Sequence, residues 1–94
     1  GELRQTMNVD YASLEEKILD GSFRAELEAE LTVGFRTLQM SGERLPVASH
    51  YASQIAEIVA KGSPVPMRPE LAYQVYLDVL AAVEGARATA LADG

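Results

Sequence analysis

The stretch from Ser22 to Gly42, SFRAELEAELTVGFRTLQMSG, constrains the fold more than any other, because two periodicities run through it. Placed on a helix at roughly 100° per residue, Phe23, Leu27, Leu31, Gly34, Phe35 and Leu38 fall within a sector of about 120°. Ala25, Ala29, Val33 and Met40 form a second, smaller-featured sector roughly opposite. Two apolar faces predict a central helix with neighbours on both sides. The same residues also alternate as a strand would. From Phe23 to Phe35 every odd position is apolar, and every even one is polar or Gly34. Composition decides for the helix, since Ala, Leu and Glu dominate and β-branched residues enter only at Thr32, Val33 and Thr37. The two patterns conflict most over residues 32–37. Ser22 suits an N-cap, and Gly42 suits the left-handed position after the helix.

A chain of 94 residues makes one domain, burying roughly 60–65% of its unfolded surface. Leucine, alanine and valine dominate and tryptophan is absent, so packing must come from aliphatic helix faces. The net charge of −6 argues against nonspecific nucleic-acid binding, which needs a cationic surface to displace counterions. It equally disfavours anionic membranes. Without cysteine there are no disulfides, thiolate metal sites or thiol nucleophiles. No apolar run reaches the roughly 18 residues of a membrane span, and no signal peptide is visible. The cytoplasm is the expected location. The first residue is Gly rather than Met, which suggests a processed or excised domain.

Residues 1–9 lack apolar periodicity and read as a disordered arm or tag remnant, leaving a single helical domain over 10–94. Asp10 or Ser13 can cap a short first helix, and Ser13 and Glu16 have capping-box spacing. Tyr11, Leu14 and Ile18 would be its inward face, and Gly21 its stop. Pro46 fits the first turn of a third helix, along which Val47, Tyr51, Ile55 and Ile58 or Val59 recur before Gly62. Pro64 and Pro66 make an extended spacer. Pro69 opens a fourth helix, in which only Gln74 and Asp78 are strongly polar between Leu71 and Val83. That predicts deep burial or a face reserved for another chain. Gly85 either ends this helix or is absorbed into it. The third and fourth helices share a plan of proline, apolar helix and glycine, but their registers disagree and no repeat array results.

The sole histidine, His50, has no partner at metal-ligand spacing and no positioned third group for a Ser–His pairing. It reads as an exposed helix residue. Glu26 and Glu30 share a helix face, but an open surface has little means of raising one carboxyl pKa. Arg24 and Glu28 are spaced to pair. Tyr51, Tyr73 and Tyr76, with Met67, are the candidate recognition residues, because tyrosine couples contact area to a polar tip. Arg44, Arg68 and Arg87 stand singly, so no basic patch is expected. No glycine-rich phosphate loop is present.

Two short runs carry a resemblance to known families. Ser41-Gly42-Glu43-Arg44-Leu45-Pro46 resembles the G-x-x-x-P lead-in to a helix in the C-terminal helical domains of hydroxyacid and ketopantoate dehydrogenases. No Rossmann half accompanies it. Thr37-Leu38-Gln39-Met40-Ser41-Gly42 resembles the S/T-x-x-x-E-G motif of antitoxins that silence Fic-type nucleotide transferases. Ser41 stands where that family has its inhibitory glutamate. Neither resemblance is adopted.

The sequence therefore predicts an all-α, compact bundle of about four helices. Its expected role is a non-catalytic protein–protein interaction or assembly module, pairing with itself as a homodimer. Tyr73, Tyr76, Leu77 and Tyr51 are the expected interface residues. No enzyme activity, cofactor, metal, nucleic acid or membrane is expected. Two alternatives stand beside it: a small acidic inhibitor or antitoxin that binds a basic partner, and a helical fragment or subunit of a larger enzyme.

Overall fold

The computed structural model describes residues 9–93; the arm expected over the first residues lies, except for Val9, outside them. A 3-10 turn over Tyr11–Ser13 leads into α1 (Leu14–Asp20), α2 (Ser22–Met40), α3 (Ala48–Lys61) and α4 (Pro69–Asp93). No strand occurs among the described residues. The chain is the all-α bundle its periodicity predicts.

The doubtful centre of α2 is helical throughout. Thr32 and Thr37 donate their hydroxyls to the carbonyls of Glu28 and Val33, at 2.7 and 3.0 Å, so both β-branched residues satisfy themselves within the helix. Phe23, Leu27, Leu31 and Phe35 are buried along one face. The second sector is not. Ala25 and Ala29 are exposed, as are Val33 at 64% and Met40 at 88%. The expectation of neighbours on both sides of this helix is therefore corrected. Ala25 and Ala29 cost little to leave in water, and Val33 and Met40 are single exposed apolar side chains of the kind a folded surface ordinarily carries.

The helix packed on two sides is α4, which lies along both α2 and α3. Val75, Val79, Ala82, Val83, Ala86 and Ala90 are all buried. Alanines at three of these positions let two neighbours approach one helix closely. α2 runs parallel to α4: Arg24 faces Asp78 near one end, and Arg36 pairs with Asp93 at the other. α3 runs the opposite way, so that Arg87 of α4 reaches the carbonyl of Pro46, just ahead of α3. α2 and α3 meet where the Phe35 and Tyr51 rings lie 5.8 Å apart.

The helix ends show how the chain turns. Gly21, at φ +82°, both stops α1 and precedes α2. With one residue joining the two helices, Ser22 is already helical and does not cap with its side chain; Asp20 accepts its N–H at 2.8 Å instead. The expected capping box also fails, because the Ser13 hydroxyl is donated to Asp10, which accepts the Ala12 N–H as well. Gly42, at φ +77°, completes a Schellman motif in which the N–H groups of Glu43 and Gly42 reach the carbonyls of Leu38 and Gln39. Pro46 lies two residues before α3 rather than in its first turn. At the far end of α3, Gly62 N–H takes the Ile58 carbonyl and the Tyr11 hydroxyl takes that of Val59, at 2.7 Å. A Cβ at residue 62 would fall 2.5 Å from that hydroxyl, so glycine is what admits it. Together with the Arg68–Glu15 ion pair, this ties the 3-10 turn and α1 over the α3–α4 connection. Pro69 starts α4 as expected, and Gly85 is absorbed into it.

Candidate functional site

α4 places its polar and apolar groups unevenly. Val75 and Val79 are fully buried, and Leu71 and Leu80 half-buried. One turn apart on the outside, Tyr73 is 61% and Leu77 37% exposed. Ala81 and Ala88 carry the same outer line toward the C-terminus. The other two expected interface residues sit elsewhere. Tyr76 is half-buried against the core, and Tyr51 leans on Phe35, where burial raises the pKa of its hydroxyl. Met67 also packs against the core. Tyr73 and Leu77 are thus together on a free face, while Tyr76 and Tyr51 are partly withdrawn from it.

His50 is exposed on the first turn of α3. Glu26 is held 3.2 Å from Lys17, and Arg24 pairs with Glu28 at 2.9 Å as its spacing predicts. The Glu28 carboxylate lies over Gly85, occupying the space where a side chain would begin. Beside it sits a group that sequence reading passed over. One oxygen of Asp78 is buried without a hydrogen-bond partner, and desolvation raises the pKa of its carboxyl against the pull of Arg24.

The cations divide in a way the sequence does not reveal. Lys17, Arg24, Arg36, Lys61 and Arg68 each hold a carboxylate. Among the described residues Arg44 and Arg87 do not, and the fold brings both to one cleft with Gln39, Glu43, Leu45 and Leu91. The expectation that these arginines stand singly is corrected. Their separation in sequence gave no signal, because the juxtaposition needs α4 to pass the loop after α2. A second, apolar cleft lies between α1 and the proline spacer, walled by Tyr11, Leu14, Pro64, Met67 and Leu71.

Among the described residues no three His, Asp or Glu side chains converge to hold a metal ion, and no helix is long and apolar enough to cross a membrane. No protein-family model matches the chain, and neither a curated protein nor a solved structure shows significant similarity to it.

Proposed function

We propose that the chain is a non-catalytic interaction or assembly module that acts in the cytoplasm and pairs with a second copy of itself through the outer face of α4. The observation that carries this reading is the exposed line of Tyr73 and Leu77, continued by Ala81 and Ala88 with the charged Glu84 among them, on the side of α4 opposite its buried face. A two-fold pairing brings this line against itself, the commonest symmetry of small assemblies. Full burial of a large apolar side chain contributes about 1.5–3 kcal/mol, of which Tyr73 at 61% and Leu77 at 37% exposure can still gain only part, whereas association costs about 4–15 kcal/mol in lost freedom. Tyr73 and Leu77 of both copies are therefore needed together. Leu77→Asp should dissociate the pair while leaving the helical spectrum intact, since this side chain lies outside the core. Sedimentation across a dilution series checks it. A wild-type chain that stays monomeric at high micromolar concentration would refute the pairing.

A further inference from the structure

Arg44 and Arg87 are the two described cations that pair with no carboxylate. In a chain with 14 acidic residues, five of the described cations are already held by carboxylates, and these two share a cleft of about 420 Å³. That volume lies within the roughly 300–1,000 Å³ of small-ligand sites. The two arginines differ in freedom. Arg87 is half-buried and anchored, with its Nε donating to the Pro46 carbonyl at 2.8 Å, which leaves its terminal nitrogens as donors. Arg44 is exposed on the loop after α2 and free to close on a bound group.

We infer that this cleft binds a carboxylate carried on an aliphatic group, supplied by the C-terminal residue of a peptide or by a free aliphatic acid. The planar guanidinium fork matches a carboxylate through paired N–H donors. Half-buried Leu45 and half-exposed Leu91 wall the same cleft and suit an aliphatic body beside the charge. Glu43, also on the cleft, sets the charge limit. With the two arginines it leaves the cleft a net charge of +1, two cations less one carboxylate, which a single carboxylate neutralises and a phosphate dianion overshoots.

The test is an NMR titration of the full chain, following the arginine Nε–H and leucine methyl signals. N-acetyl-leucine stands for a peptide end and isocaproate for a free acid; N-acetyl-leucinamide is the uncharged control. The acids should move the Arg44, Arg87 and Leu91 signals saturably, and the amide should not. Binding of N-acetyl-leucine alone assigns the site to peptide ends, and equal binding of isocaproate shows that the acid and its aliphatic body suffice. Arg44→Gln should weaken binding by about tenfold, the equivalent of one charge-assisted hydrogen bond, with backbone signals elsewhere unchanged. Three results would overturn the inference: the amide binding as well as the acids, inorganic phosphate binding as tightly, or equal shifts at Arg24, Arg36 and Arg68.

Discussion

Gly21 and Gly34 differ in what a methyl group would meet. Gly34 is mid-helix, exposed, and has open space where a Cβ would go. Gly34→Ala should raise stability by about 0.5–1 kcal/mol, because alanine loses less backbone entropy on entering a helix. Gly21 holds φ +82° between two helices, so Gly21→Ala should cost about 1–2 kcal/mol. Urea unfolding of both variants reads the two signs directly. Asp78 supplies a pH effect at the same scale. Its folded pKa is raised by desolvation, so the folded state holds the proton more tightly than the unfolded chain. Its contribution is most favourable below its ordinary value of 3.8 and is lost as pH rises through the folded value. Asp78→Asn should accordingly be the more stable protein at neutral pH, with the difference shrinking in acid. Asp10 and Asp20 have the opposite sign. Their hydrogen bonds lower their pKa values, and what they contribute is lost as pH falls. The wild-type-minus-variant difference cancels them and isolates Asp78.

At the scale of the element, α2 separates what pattern suggests from what packing uses. Leu31 and Val33 are two residues apart and both apolar, yet Leu31 is buried and Val33 is 64% exposed. Leu31→Ala should cost about 2–5 kcal/mol, the range for a buried leucine. Val33→Glu should change stability by no more than about 0.5 kcal/mol, as surface substitutions do. Chemical denaturation of the pair checks whether α2 has one working face. A comparable loss in both would restore the second neighbour that its sequence suggests. The ends of this helix were legible beforehand at Gly42 but not at Ser22. The Schellman turn is built within six consecutive residues. The N-terminus depends on how closely α1 precedes it.

At the scale of the molecule, the proposed pairing has a thermodynamic signature beyond mass. A chain that associates only when folded should show a melting temperature that rises with protein concentration, and Leu77→Asp should abolish that dependence. The sequence by itself determined the class of fold. Helical spacing of Phe23, Leu27, Leu31 and Phe35, the stops at Gly21, Gly42 and Gly62, and the start at Pro69 are local effects, set by backbone sterics and hydrogen bonds within a turn or two. Tertiary structure decided which helix is central. The Phe- and Leu-rich α2 has the pattern of a central helix, but the Ala- and Val-lined α4 takes that place, because small side chains let it meet α2 and α3 at once. It likewise decided that Tyr76 turns inward while Tyr73 stays out, and that Arg44 meets Arg87 across one cleft. Such placements depend on the sum of many packing contacts between distant segments, which no local pattern of residues encodes.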